Sequence, residues 1–411
     1  MRFTSTRRLL LASSITMALT LGSGMAHAQQ NVVFWYHFDN PEQTKIMDGL
    51  VKDFEAKNSG ITINAQNVPW NSYYDKLFTS VIGGKAPDVA MVKLAQQPQL
   101  VEMDALEPID RQINSWAGKA DVANNLFEIN KATNGKQYYL PLQYVVVYLY
   151  YRADLFAKAK LTPPETCEQF LDAAKKLTVP ASANNGTPQY GFGMRGGKGG
   201  QDNWGPFVLS QGALNGTDIT KPKVIAANSW YVDLFRTHKV SPPSAPNDGF
   251  NEIISSFKSG QTAMMMHHLG SANSLVATLG DKVSAVPVPA CGGQRWTYFG
   301  DESTALFKTS KVKDAAWKWM AFLSEGENNA KFVQATGQMT ITKSAAGKVQ
   351  APQRFIAATA NSLPFAKPLP AVPETADFVS TVWPTNMQRA MTGEITSAQM
   401  MGAIAKHFAP R

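Results

Sequence analysis

The residue pairs with the most chemical potential are Asp301-Glu302 and His267-His268. Two carboxylates can work as acid and base across a scissile bond, and two imidazoles can hold a metal ion. Both pairs are adjacent in sequence, and neighbouring residues of a strand point to opposite faces. Neither pair can act as a unit, which leaves one member of each to hydrogen-bond a polar ligand. Gly191-x-Gly193-x-x-Gly196 carries the letters of a dinucleotide fingerprint. That motif works only between a strand and a helix N-terminus. Here a polar Asn/Gly/Pro stretch precedes it and Gly197-Lys198-Gly199-Gly200 follows, so it reads as a flexible loop. The chain has no Gly-x-Ser-x-Gly elbow, no His-Glu-x-x-His, no Cys-x-x-Cys and no phosphate-loop motif. The expectation is binding without turnover: no catalytic residue, no metal and no cofactor.

Aromatic residues give a more positive signal. The chain has nine tryptophans, and Trp70, Trp204, Trp296 and Trp383 fall at strand ends, loop ends or helix starts, near Asp, Asn, Gln and His. Carbohydrate suits such a set, because its C–H faces pack on ring planes while its hydroxyls take directional hydrogen bonds. Trp317 and Trp319 lie mid-helix, where core packing is the expectation.

The elements that must position these groups can be read from periodicity. Residues 31–36 form a Val- and aromatic-rich strand, and Asp39 or Asn40 caps a helix with Pro41 in its first turn. Ile46, Leu50, Val51 and Phe54 recur at helical spacing. A second strand at 61–65, a helix from Trp70 with Tyr74, Leu77, Phe78, Val81 and Ile82 on one face, and a buried strand at 88–92 complete a β-α-β-α-β unit. Such units make a parallel sheet covered on both faces, and ligands bind beyond the carboxyl ends of its strands. Those ends are 37–42, the segment around Trp70, and 93–97. Further along, 138–151 is a long β-forming stretch, 186–205 a Gly-rich loop, 264–268 and 283–289 strands, 315–323 an amphipathic helix, and the tail after Pro384 helical.

Composition narrows the class. Residues 1–28 have a basic start, a soft apolar run over 9–22 and Ala26-His27-Ala28, the pattern of a cleaved signal peptide. No cysteine follows the cut to take a lipid, so a soluble periplasmic protein is expected. Loss of three leader arginines and no acid lowers the formal charge from +8 to +5, without any Lys/Arg block, which disfavours nucleic acid as a partner. The length favours two domains or lobes. Cys167 and Cys291 stand far apart with no cysteine framework around them and read as free, buried thiols.

The chain resembles the family 1 extracellular solute-binding proteins of bacterial ABC importers, the broad group of the maltodextrin-binding protein. The resemblance rests on the order of several segments. They are Phe34-Trp35-Tyr36-His37, Gly83-Gly84-Lys85-Ala86-Pro87-Asp88-Val89, Tyr139-Leu140-Pro141-Leu142 before Leu149–Phe156, Gly260-Gln261-Thr262-Ala263-Met264, Thr336-Gly337-Gln338-Met339-Thr340 and Gly393-Glu394-Ile395. It implies a two-lobed α/β clamp, the type II periplasmic binding protein fold. One lobe would comprise 29–143 with 288–338, the other 147–285 with 342–411, and the crossings would lie near 143–146, 286–288 and 338–342. It also implies contacts to a sugar or oligosaccharide from His37, Phe38, Asp39 and Glu42, from Lys93 and Gln96, from Asp202 and Trp204, from His268, Gly270 and Ser271, and from Gly300, Asp301 and Glu302. Trp383 matches a family aromatic position, Trp70 and Trp296 join on placement, and Tyr144 lies in the first crossing. The implied partners are the membrane permease subunits, and the protein would be a monomer. Two alternatives stand beside this: a binder of glycerol phosphate or another anionic polyol, held by Lys93, Arg195, Lys198 and a helix N-terminus, and an exported polysaccharide hydrolase or lyase.

Overall fold

The computed structural model describes Met1 and residues 29–38, 41–213, 218–292 and 294–409. The leader beyond Met1, and Asp39, lie outside the described residues. The β-α-β-α-β unit forms as its periodicity dictates. β1 (Gln30–Tyr36) is followed by α1 (Pro41–Lys57), β2 (Ile61–Asn67), α2 (Trp70–Ile82) and β3 (Val89–Val92). β1 lies between β2 and β3 and is parallel to both, with Phe34 opposite Ala65 on one side and Val89 on the other. Leu77 is buried as its spacing requires, whereas Ile82, expected on the same face, is 79% exposed at the helix end. Tyr73 does more than any residue of that expected stripe. Its hydroxyl lies 3.1 Å from the carbonyl oxygen of Trp35 and 2.8 Å from that of Met91, tying α2 to β1 and β3.

The sheet is mixed, not all parallel. β8 (Thr297–Leu306) runs antiparallel beside β3, β4 (Tyr139–Val146) antiparallel beside β8, and β9 (Met339–Thr340) caps the edge. The pairing of β4 with β8 slips between Pro141 and Gln143. Proline donates no hydrogen bond, so a bulge is where a strand tolerates it. Beyond the slip Gln143 stands opposite Glu302, and the alternation sends Gln143, Val145 and Val147 to one side and Tyr144 to the other.

The long β-forming stretch serves two sheets. At Val147, whose N–H donates to the Tyr298 carbonyl, the chain leaves the first sheet. It becomes β5 (Tyr148–Arg152), the middle strand between β6 (Met264–His267) and β7 (Val283–Val286). Each sheet is covered on both faces by its own cores, which makes the molecule a two-lobed α/β fold. The second crossing comes later than 286–288, because Val288, Cys291 and Trp296 are buried in the second lobe's core and the first sheet resumes at Thr297. The third also comes later than 338–342: Ile341 is in the first core, and Lys343 N–H still donates to the Asp121 carbonyl. β10 (Ala366–Lys367) returns to pair with the start of β8.

Two readings are corrected here. Cys167 and Cys291 form a disulfide with Cα atoms 5.3 Å apart, beside a backbone bond from Ala290 N to Glu165 O. Sequence separation does not report spatial distance, and the fold brings the helix Cys167–Lys176 against the strand-like segment at 290. The glycine-rich segment is also not a flexible loop. Residues 190 and 193 bridge in parallel to 262 and 265, and a side chain on Gly191 would strike the Ala174 backbone. The helix Gln201–Val208 begins inside the stretch expected to be loop.

Candidate ligand-binding cleft

A cleft of about 550 Å³ lies between the lobes at the carboxyl ends of β1, β3 and β6. The first lobe supplies His37 and Phe38 after β1, Trp70 at the start of α2, and Lys93 and Gln96 after β3. The chain after β1 is pinned by Asn67, whose amide donates to Phe38 O and accepts from Phe38 N–H, both at 2.9 Å. His37 then packs 4.9 Å from the Trp70 ring and 4.8 Å from Tyr73, and Lys93 Nζ sits 4.0 Å above Trp70.

The floor comes from the two strands that span the bulge. Glu302 is buried; His37 Nε2 is 3.2 Å and Lys93 Nζ 3.7 Å from its Oε1, and Gln143 donates to its Oε2. Burial pushes the Glu302 carboxyl upward, but His37 and Lys93 outweigh it, and the group is held below the usual glutamate range. Its neighbour behaves oppositely. Asp301 is 1% exposed, and burial raises its carboxyl to about 6 although Ser303 Oγ and Leu94 N–H donate to it. Alternation separates the partners of the two acids but not their cavity: Glu302 faces Lys93 and Asp301 the backbone of Leu94, yet both line the cleft, as do His267 and His268, whose rings lie 4.4 Å apart at the strand end.

The second lobe contributes Arg195, Lys198, Asp202 and Asn203 around the start of the helix Gln201–Val208, Phe250, and His267 and His268 at the end of β6. His268 Nδ1 receives the N–H of Gly270 at 3.2 Å and lies 2.6 Å from Gln338 Nε2, which assigns the ring proton to Nε2. His267 Nδ1 is 2.8 Å from Ser271 Oγ. Burial, then neighbouring charge, drives the His267 imidazole down to about 3 and His268 well below its usual range, so both rings are neutral. Asp202 is raised to about 6 by burial, against the pull of Arg195 and Lys93. No group of three metal-binding side chains exists among the described residues.

Residues 40–330 match the profile of the bacterial extracellular solute-binding proteins. The chain belongs to that family. A Brucella abortus binding protein is 28% identical over 345 residues, 80% of this chain and 81% of the relative. A solute-binding protein of Thermotoga lettingae, solved with α-D-tagatose, gives a TM-score of 0.81 at 25% identity, over 92% of this chain and 98% of that one. Another from Agrobacterium radiobacter, solved with ribitol, gives 0.79 at 18% identity over the same shares. This solute-binding protein is therefore a receptor and not an enzyme, which sets aside the polysaccharide hydrolase.

Of the residues singled out from sequence, the cleft of this solute-binding protein brings together His37, Phe38, Trp70, Lys93, Gln96, Asp202, His268, Gly300, Asp301 and Glu302, with His267 and, from the anionic-polyol alternative, Arg195 and Lys198. The remaining described ones are elsewhere. Trp204 and Trp383 are wholly buried and Trp296 nearly so, all in the second lobe's core; the Trp204 indole donates to Asn228 at 2.7 Å. A helix start has a core-facing side, and position along the chain does not tell which side a ring takes. Tyr144 stacks on Phe299, 6.1 Å away, on the side of its strand opposite the cleft. Glu42 is exposed on α1, outside the cleft. Gly270 and Ser271 act behind the wall, on His268 and His267. Gln143, Phe250, Tyr298 and Gln338 were missed. Only Gln143 left a signal, a polar residue inside an apolar strand.

Proposed function

We propose that this protein is the periplasmic substrate-binding component of an ABC importer, taking a sugar or polyol into the interlobe cleft and delivering it to the permease. In this reading residues 1–28 are removed on export, no lipid anchors the mature chain, and it works as a monomer. Among the described residues no helix is long and apolar enough to cross a membrane, which agrees with that. The observation that carries the reading is the facing of unlike walls: the half-buried Trp70 ring on one side, and Asp202, Asn203 and His268 on the other. A ring plane opposite directional polar groups matches the two-faced chemistry of a polyhydroxylated ligand. Relatives solved with a ketose and with a linear polyol lend support.

Thermal-shift screening against monosaccharides, disaccharides and alditols, together with their acid and phosphate derivatives, tests it. A true ligand at 100 times its Kd stabilises the folded state by about 2.7 kcal/mol, and Trp70→Ala should weaken that ligand at least tenfold. Absence of a shift across the panel, or a Trp70→Ala protein that binds as before, would contradict the assignment.

A further inference from the structure

The side chain that the sugar or polyol reading leaves unexplained is Arg195. It is 7% exposed, lines the cleft, and makes one hydrogen bond among the described residues, from Nη2 to the Lys198 carbonyl. Its Nε is buried with no partner, and no described carboxylate lies within 4.0 Å of it. The other two lysine or arginine cations of the cleft are compensated: Lys93 lies 3.7 Å from Glu302 and over Trp70, and Lys198 lies 3.6 Å from Asp75.

We propose that the bound solute carries one anionic group, a carboxylate or a phosphate, and that Arg195 is its anchor; this rests on the cleft being the solute site. A guanidinium cannot shed its charge, and burying one without a counter-charge is costly. The surroundings of Arg195 are built to keep it in place. Phe250 backs it with Cζ 5.8 Å from the ring centre. Gly199, at φ +82°, lets the backbone pass close over the fork, where any side chain would strike Nη2. Neither neighbouring histidine can share the role, because both are held neutral, and Arg195 is one of the charges that hold them so. Asp202 and Glu252 act on Arg195 only beyond ion-pair range, and each is engaged elsewhere, Asp202 by the Gln201 amide at 3.0 Å and Glu252 by the Gly249 N–H at 2.9 Å. The unpartnered Nε–H edge of a planar fork suits two oxygens of one anion, which lysine cannot match in geometry.

The test compares acids with their neutral parents on the full mature protein, by calorimetry and thermal shift. Hexuronates and aldonates are set against hexoses and alditols, and glycerol phosphate and hexose phosphates against glycerol and hexoses. The expected result is one acidic probe binding at least a hundredfold tighter than its parent, with an affinity that falls as salt rises; which series it belongs to assigns carboxylate or phosphate. Arg195→Lys should then lose tenfold or more and Arg195→Gln a hundredfold, in variants whose ligand-free melting matches the parent. A neutral sugar or alditol that binds as tightly as its acid, or retains its affinity in Arg195→Gln, overturns the anion while leaving the sugar or polyol reading standing. A panel in which neither acids nor parents bind overturns both.

Discussion

The two walls of the cleft are built on different principles. On the first lobe and floor the charges compensate one another: Glu302 meets His37, Lys93 and Gln143. On the second lobe wall Arg195 Nε, Gln201 Oε1, Asn203 Nδ2 and His267 Nε2 are all buried without a partner. Native structures leave few such groups, and each one marks a demand on something that binds there. The charges of the first wall are thus met within the protein, although the Tyr74 hydroxyl and Gln96 Oε1 are buried without a partner there too, whereas the Arg195 charge of the second wall is left for a ligand to meet. On the proposed reading, a solute that meets these buried groups favours whichever arrangement of the lobes brings them to it.

Breaking the finished wall should have the largest effect. Glu302→Ala leaves His37, Lys93 and the Gln143 amide facing an empty site, and removing one partner of a buried charge cluster costs about 3–5 kcal/mol. Urea unfolding measures it; a loss under 1 kcal/mol would mean that the wall is not held by its own charges. A smaller effect separates Asp301 from Glu302. Because the folded Asp301 carboxyl titrates near 6 against 3.8 ordinarily, its stabilising protonation is complete below pH 3.8 and is lost as pH rises through 6. The shift corresponds to about 3 kcal/mol. Asp202 shifts the same way, while the depressed His267 and His268 act with the opposite sign over the same range, so the comparison between proteins is the readout. The unfolding free energy of the parent relative to Asp301→Asn should fall by about 3 kcal/mol between pH 4 and 6. Glu302 has the opposite sign, its contribution being lost only as acid protonates it below the usual glutamate range. An unchanged pH profile in Asp301→Asn would show that the buried acid does not titrate there.

What could be read in advance divides along the same line. The first wall was legible because a β-α-β-α-β unit has one ligand end, and strand-end residues such as His37, Trp70 and Lys93 follow from topology alone. The second wall was not. Its parts come from the segment at 195–203, the end of β6 and the rim at 376–381, brought together only by long-range packing. Trp204 and Trp383 show the difficulty: their type suggested stacking on a sugar, yet they pack edge to face 6.1 Å apart inside the second core. The disulfide was hidden for the same reason, since its two cysteines meet only through the fold.

The smallest effect concerns the one ion pair that, among the described residues, joins the walls directly. Asp75 on α2 and Lys198 on the second lobe approach to 3.6 Å across the cleft mouth, with side chains 71% and 56% exposed. Exposed pairs contribute about 0–1 kcal/mol and are screened by salt. If closure is driven by what the ligand supplies to the second wall, this bridge only trims it. A double-mutant cycle on ligand affinity with Asp75→Asn and Lys198→Met should give a coupling below about fivefold at low salt, vanishing at 0.5 M. A coupling of a hundredfold would reverse the picture, because the lobes would then hold each other shut through their own charges and the unmet groups around Arg195 would be buried whether or not a solute was present.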